Sequence, residues 1–101
     1  MTKQIKHMVI FNLIHQKDSP EAVKFLTDGQ TLLTSIATVK NFEVFHQISP
    51  KNNYDFGFSM IFDNNEDYET YNNHPVHIDF VENRWKKEVS QFMEIDFSPY
   101  H

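Results

Sequence analysis

The sequence predicts an α+β domain in which helices cover one side of a single antiparallel sheet. Three observations lead to this prediction. Apolar residues alternate along four separate stretches, as they do in strands. After the first and third stretches, apolar residues recur at helical spacing behind capping residues. The chain has 101 residues, 40% of them hydrophobic and ten of them Phe, which suits one core. We therefore expect a single domain over residues 1–101.

The first strand and the first helix have the clearest patterns. Residues 5–13 alternate, and both faces of the predicted strand are largely apolar. A helix is predicted over residues 20–37 because Asp18 or Ser19 can cap it, Pro20 suits its first turn and Glu21 complements its N-terminal dipole. One stripe of this helix should be buried: Ala22, Phe25, Leu26, Gly29, Leu32, Leu33 and Ile36.

A hairpin should follow this helix. Residues 41–48 alternate, with Phe42, Val44, His46 and Ile48 on one face. The polar segment 49–53 predicts a turn. Residues 54–62 then form the second strand of the hairpin, with one face that carries Tyr54, Phe56, Phe58, Met60 and Phe62.

A second helix and a last strand complete the chain. The helix should begin near Asn65 and stop before Pro75, because the residue before a proline disfavours helix. Pro75 should open a further helical segment with one shared face: His77, Phe80, Val81 and Trp85. Residues 90–97 form the last strand. The resulting βαββαβ order is that of a ferredoxin-like sandwich.

The face of the sheet that the helices leave open is predicted to be apolar. A lone sandwich of this type should be polar on that face, and apolar patches of several hundred Å² are uncommon on monomers. We therefore expect a homodimer that packs through this face and forms a dimeric α/β barrel. The residues of the face are Met8, Ile10, Phe45, Ile61, Met93, Ile95 and Phe97.

Charge and composition exclude several classes of partner. A formal net charge of −5 with scattered Lys and Arg argues against nucleic acid and against an anionic membrane surface. The chain has no Cys, which fits a reducing compartment. The apolar run at residues 8–14 is too short for a membrane span and has no cleavage site after it, so we expect a cytoplasmic location.

The stretch YETYNNHPVH, residues 68–77, holds the candidate catalytic residues Tyr71 and His77. An imidazole can remove a proton next to a carbonyl, while a phenol stabilises the developing enolate. Cyclisation or aldol chemistry on a carbonyl-rich or aromatic ligand is therefore predicted. Ile48 should point into the same interior as the candidate substrate-binding residues. These residues are His7, Val9, Phe11, Phe25, Leu26, Phe42, Phe58, His74 and Phe92.

These side chains could also have a structural or a metal-binding role. A histidine on an apolar face is more often a core residue, His74 before a proline is suited to cap a helix, and Tyr71 is more often a packing residue. His7, His74 and His77 could instead hold a metal, although no Cys or HExxH spacing supports that hypothesis. We expect no metal and no cofactor.

Four segments together resemble the stress-responsive dimeric α/β-barrel (Dabb) family: IKHMVIF, YDFGFSMIF, YNNHPVH and FMEIDF. The resemblance implies a ferredoxin-like fold that dimerises into a barrel. One member is a plant polyketide cyclase that needs no cofactor, and its catalytic pair falls on Tyr71 and His77. The resemblance places His7 and His74 in the pocket.

The sequence also departs from that cyclase. Gly29 stands where the cyclase has a pocket tyrosine, and Phe42 and Phe58 stand where it has smaller aliphatic residues. The resemblance therefore implies a pocket of different shape. The alternatives to an enzyme of this type are a non-enzymatic structural or ligand-binding dimer and a relative of the monooxygenases with the same barrel, in which a histidine could ligate haem.

Overall fold

A computed structural model of the chain describes residues 3–101. Four antiparallel strands form one sheet in the order β2-β3-β1-β4. Their bounds are β1 Ile5–Leu13, β2 Lys40–His46, β3 Phe56–Phe62 and β4 Val89–Phe97. Helix α1 spans Pro20–Leu33 and α2 spans Asn65–Asn73. This order and topology confirm the predicted α+β ferredoxin-like fold.

The helical segment after Pro75 is longer and less regular than α2. Helix α3 spans Pro75–Phe80, a π-helical turn follows at Val81–Trp85, and a last turn, α4, covers Lys86–Glu88. Within the π turn the Lys86 N–H donates to the Val81 carbonyl, five residues back. This wider turn adds one residue to the helical repeat and therefore changes which side chains face the sheet.

The pairing of β1 with both neighbours sorts the side chains between the two faces of the sheet. Val9 lies opposite Phe58 of β3 and opposite Glu94 of β4. Directly opposed residues share a face. The face that meets the helices carries the core, whose side chains with 2% exposure or less include Phe11, Phe25, Phe58, Met60, Phe62 and Phe80.

The opposite face of the sheet carries the apolar residues that the sequence predicted for it, together with polar residues such as Lys6 and Glu43. The register places Met8 opposite Ile95 and Ile10 opposite Met93 on this face. Three members of this face stay open to solvent in the monomer, with exposed fractions of 41% for Phe45, 47% for Met93 and 52% for Phe97. We call this surface, defined by the seven residues predicted for it, the outer face.

Helix α1 is shorter than predicted. It ends at Leu33, and not at residue 37, because two side chains take over the last carbonyls of the helix. The Thr34 hydroxyl donates to the Gln30 carbonyl and the Ser35 hydroxyl donates to the Leu32 carbonyl. Such local bonds compete with helix continuation. Leu32, predicted to be buried, is 37% exposed, whereas Ile36 remains in the core.

The hairpin corrects a second prediction. Ile48 was expected in the interior, but it is 84% exposed. Strand β2 ends at His46, and the Gln47 side chain then donates to the Tyr54 carbonyl across the loop. Ile48 therefore lies in the loop and outside the sheet. Strand β3 begins at Phe56, which leaves Tyr54 in the same loop.

Among residues 3–101, the helices are all too short or too polar to cross a membrane.

Candidate functional site

A cavity of about 450 Å³ lies between the inner face of the sheet and the helical segment that starts at Pro75. The predicted shared face of that segment is confirmed, since His77, Phe80, Val81 and Trp85 all line the cavity. Apolar walls with a few polar groups are typical of small-molecule sites. The other lining residues are His7, Val9, Leu33, Phe58, Met60, Tyr68, Tyr71, Asn72, Lys86, Phe92 and Glu94.

Tyr71 and His77 are brought together by the break between α2 and α3. Helix α2 ends at Asn73, and His74 adopts an extended conformation before Pro75 restarts the helix. The chain therefore changes direction between the two side chains. Their ring centroids lie 4.3 Å apart with planes inclined at 44°. The two residues with the predicted catalytic roles are thus in contact at the cavity wall.

His77 is held in a defined tautomer. Its Nδ1 lies 3.2 Å from the Asn72 carbonyl, which can only accept, so Nδ1 carries the proton. In the neutral ring the lone pair is therefore on Nε2. Burial lowers the pKa of His77, because the imidazolium would lose hydration, and this effect outweighs the Asn72 bond that favours the charged form. A neutral His77 is a proton acceptor.

The pKa of Tyr71 is displaced in the opposite direction to that of His77. Its side chain is only 3% exposed, and burial raises its pKa well above the usual value for a phenol. The negative charges that Glu94 and an ionised Tyr68 would present act in the same direction. The phenol is therefore protonated at neutral pH and available as a hydrogen-bond donor.

A second polar cluster lies beside this pair, around His7. The Nδ1 of His7 lies 2.6 Å from Oδ1 of Asp96. The Tyr68 hydroxyl donates to the other carboxylate oxygen, Oδ2, over 2.9 Å, and lies 3.0 Å from the His7 Nδ1. Burial and the Asp96 carboxylate raise the pKa of Tyr68, so that its hydroxyl stays a donor. The His7 and Tyr71 rings are 6.2 Å apart.

His74, predicted in the pocket, is not among the residues that line the cavity. It is the N-cap of α3, and its Nδ1 accepts a hydrogen bond of 3.1 Å from the Val76 N–H. This is the capping role that the sequence left open for a histidine before a proline. Its effect on the cavity is indirect, because the cap sets the direction in which α3 leaves α2.

The remaining residues predicted to bind substrate fall into two groups. His7, Val9, Phe58 and Phe92 line the cavity. The second group packs in or against the core behind the cavity wall and consists of Phe11, Phe25, Leu26 and Phe42. Phe42, for example, packs on Phe58 with ring centroids 5.2 Å apart.

Gly29 and Phe58 explain the shape of one wall. A Cβ placed on Gly29 would lie 2.9 Å from Cζ of Phe58, closer than real Cβ atoms come. The Phe58 ring therefore occupies the space over α1 that the missing side chain leaves. Gly29 and Phe58, two of the three departures from the cyclase that the sequence indicated, are therefore parts of one packing arrangement.

The sequence did not indicate five polar residues at the site, namely Tyr68, Asp96, Glu94, Lys86 and Asn72. Asp96 meets His7 because β1 and β4 pair in register, across 89 positions of sequence. Counting along that antiparallel pair from either end could have found it, since Asp96, Glu94 and Phe92 alternate on one face. Lys86 reaches the cavity through the π turn, for which the sequence has no clear signal.

The metal alternative needs three ligands in one place. Within the described range 3–101, no three His, Cys, Asp or Glu side chains are close enough together to hold a metal ion.

Comparison with known proteins identifies the family of the chain. The model of the Stress responsive A/B Barrel Domain, Dabb, matches residues 5–99. A Dabb family protein with a ferredoxin-like fold from Mesorhizobium loti is 45% identical, over 98% of this chain and 99% of that one, with a TM-score of 0.96. No curated protein matches the chain significantly.

More distant structures share the fold alone. A dimeric ferredoxin-like protein of unknown function from Thermobifida fusca is 20% identical, over 98% of this chain and 93% of that one, with a TM-score of 0.76. The hydroxynitrile lyase of Passiflora edulis is 10% identical, over 100% of this chain and 97% of that one, with a TM-score of 0.85.

Proposed function

The chain belongs to the stress-responsive A/B barrel (Dabb) domain family, and from that premise we propose that its cavity is a cofactor-independent acid/base site for a carbonyl-bearing small molecule. His77 is the base and Tyr71 is the hydroxyl donor. The observation that carries the proposal is the contact of these two rings at the cavity wall, with centroids 4.3 Å apart.

The proposed reaction begins with proton transfer from carbon. Nε2 of His77 accepts a proton from the carbon next to the ligand's carbonyl, and the electron pair of that C–H bond moves to the carbonyl oxygen. The Tyr71 hydroxyl donates a hydrogen bond to the resulting enolate oxygen. The enolate carbon then attacks a second carbonyl of the same ligand, which is a cyclisation, and the alkoxide formed there takes the proton from His77 Nε2, so that the base is neutral again. Without a second carbonyl, the enolate carbon recovers the proton from His77.

The state of both groups supports these roles. A base must be unprotonated, and the lowered pKa of His77 keeps it so at neutral pH. A donor to an oxyanion must keep its proton, and the raised pKa of Tyr71 ensures this. Two neighbouring groups whose pKa values are displaced in opposite directions form an acid/base pair of the kind that enzymes use.

At least one enzyme is found among the proteins that share this fold. The hydroxynitrile lyase of Passiflora edulis has the same fold. If the resemblance to a plant polyketide cyclase extends to the site, the catalytic pair of that cyclase would correspond to Tyr71 and His77, which supports the proposal. Reaction type is a property of the site rather than of the fold, so the identity of the side chains supports the proposal more strongly than the similarity of the folds does.

The assembly that we propose is a homodimer through the outer face. Exposed Phe45, Met93 and Phe97 would be buried there, with a gain of about 25 cal/mol for each Å² of apolar surface removed from water. The relative from Thermobifida fusca is described as dimeric. The cavity lies on the other side of the sheet, so dimerisation would leave the cavity accessible.

The second candidate function is binding of the same class of ligand without turnover. The largely apolar wall of the cavity favours it, because that wall would hold an aromatic or alkyl body whether or not a proton moves.

Deuterium exchange separates the two candidates. Benzylacetone combines an aryl ring with one ketone, and its exchange with solvent D₂O next to the carbonyl can be followed by NMR. The protein should accelerate this exchange, and His77→Gln should remove the acceleration without preventing binding. His46→Gln is the matched control, because His46 is exposed and is not part of the cavity wall. Binding with no acceleration would favour the second candidate, whereas equal rates for wild type and His77→Gln would end the proposal for His77.

A further inference from the structure

One end of the cavity carries unbalanced negative charge. The face of β4 that meets the helices presents Phe92, Glu94 and Asp96 at alternate positions, and Glu94 lies opposite Val9 of the cavity wall. Among residues 3–101, Glu94 forms no ion pair, whereas Asp96 is engaged by His7 and Tyr68. Glu94 is therefore a free carboxylate at the rim.

Lys86, the lysine of the cavity wall, does little to balance the negative charge of Glu94. Lys86 lines the cavity, but its Nζ bonds Oε1 of Glu82 at 2.6 Å, so its charge is already paired. The field of Glu94 reaches into the cavity, because its negative charge favours the protonated forms of Tyr68, Tyr71 and His77. A ligand in contact with these residues would experience the same field.

We propose that the cavity selects an uncharged carbonyl ligand against a carboxylate, and that Glu94 is the residue that sets this selectivity. The inference rests on the proposed function, since it concerns the ligand of the same cavity. Two effects act together: an anion would lose hydration among the apolar walls, and it would meet the like charge of Glu94 while the charge of Lys86 is held by Glu82.

Three matched ligands test this selectivity. Benzylacetone, hydrocinnamamide and hydrocinnamate share the phenylethyl body and differ only in the group on the carbonyl carbon. Only hydrocinnamate is charged at neutral pH. Trp85, the single Trp of the chain, lines the cavity, so its fluorescence reports binding. Hydrocinnamate should bind at least about tenfold more weakly than the other two, which corresponds to about 1.4 kcal/mol.

The variant Glu94→Gln isolates the responsible charge. It keeps the size of the side chain, and it should strengthen the binding of hydrocinnamate several-fold more than the binding of hydrocinnamamide. Glu21→Gln is the control for net charge, because Glu21 is exposed in the first turn of α1 and is not part of the cavity wall. Glu21→Gln should leave the difference in affinity between hydrocinnamate and hydrocinnamamide as it is in the wild type. Thermal unfolding of both variants checks that the fold is kept.

Each remaining outcome overturns a defined statement. Hydrocinnamate binding as tightly as hydrocinnamamide to wild type would overturn the selectivity, and the proposed acid/base site would stand. If the difference in affinity between hydrocinnamate and hydrocinnamamide were the same in Glu94→Gln as in the wild type, Glu94 would not be its cause. If none of the three ligands bound, both the proposed function and this inference would be overturned.

Discussion

The ring of Tyr71 packs against the imidazole of His77, with centroids 4.3 Å apart, although a helix end and a proline separate the two residues in sequence. Tyr71 is buried and remains protonated, while burial favours the neutral form of His77. A donor and an acceptor of protons therefore lie side by side on one cavity. Substitution of Tyr71 should therefore remove a hydrogen-bond donor, whereas substitution of His77 should remove a base.

The two tyrosines of α2 provide a matched pair of variants. Tyr71→Phe keeps the ring contact and removes the donor, so the exchange of benzylacetone should slow about a hundredfold, as for the loss of one oxyanion donor. Tyr68→Phe removes a hydrogen bond to the half-exposed Asp96 and should cost about 1 kcal/mol of unfolding free energy. The rate of benzylacetone exchange in Tyr68→Phe should fall by less than tenfold. Steady-state exchange rates and urea unfolding of the two variants check these expectations. Equal losses of rate in Tyr71→Phe and Tyr68→Phe would contradict the distinction between a donor to the ligand and a structural tyrosine.

His77 should make stability depend on pH in a defined direction. Because its pKa is lower in the folded than in the unfolded state, the unfolded chain takes up a proton first as the pH falls below about 6.5. The free energy of unfolding should therefore decrease as the pH falls from about 6.5 to the folded-state pKa of His77. Below that pKa, protonation of His77 should cause no further decrease. Urea unfolding across this range should give a smaller decrease for His77→Gln than for wild type. An identical decrease in both proteins would mean that burial does not perturb His77.

Catalytic rate should follow the same titration. Exchange of benzylacetone needs neutral His77, whose pKa is lowered by burial, so the rate should fall to half of its plateau only at a pH below 6.5. A rate that already halves above pH 6.5 would contradict the lowered pKa.

His74 should behave as a helix cap. His74→Ala removes the acceptor for the Val76 N–H and should cost about 1 kcal/mol of unfolding free energy, whereas His74→Asn should restore most of it. Chemical denaturation of the three proteins measures this. A role in direct ligand contact would instead appear as weaker binding of benzylacetone in both variants, beyond what the loss of stability explains.

The outer face should govern association. Met93→Lys places a charge in the middle of the apolar surface opposite Ile10, so it should shift the protein to monomer in sedimentation equilibrium. Thr31→Lys on the exposed side of α1 adds the same charge elsewhere and should leave the mass unchanged. A monomeric wild type would contradict the dimer at once.

The sequence could predict most of the fold because the local pattern and the global packing agree. Period-two alternation identified all four strands, and the register confirms the partition of β4 between its two faces. Errors arose where local hydrogen bonds override that pattern. Thr34 and Ser35 end α1 early, and the Gln47 side chain organises the loop that exposes Ile48.

The site was less predictable, because its contacts depend on long-range registers. Tyr71 and His77 share a short motif, and reasoning from that motif found both. The carboxylate that holds His7 comes from the far end of the chain through the pairing of β1 with β4. The π turn next to Lys86 includes a hydrogen bond from the Lys86 N–H to the Val81 carbonyl, five residues back, and sequence spacing does not reveal such a turn.

The central claim is that a ketone occupies the cavity with its oxygen at Tyr71 and its acidic carbon at His77. A crystal structure of the protein soaked with benzylacetone tests this most directly. We predict the ketone oxygen within hydrogen-bonding distance of the Tyr71 hydroxyl and the neighbouring carbon facing Nε2 of His77. Benzylacetone bound in the cavity with its ketone turned away from both side chains, or bound only outside the cavity, would contradict the account.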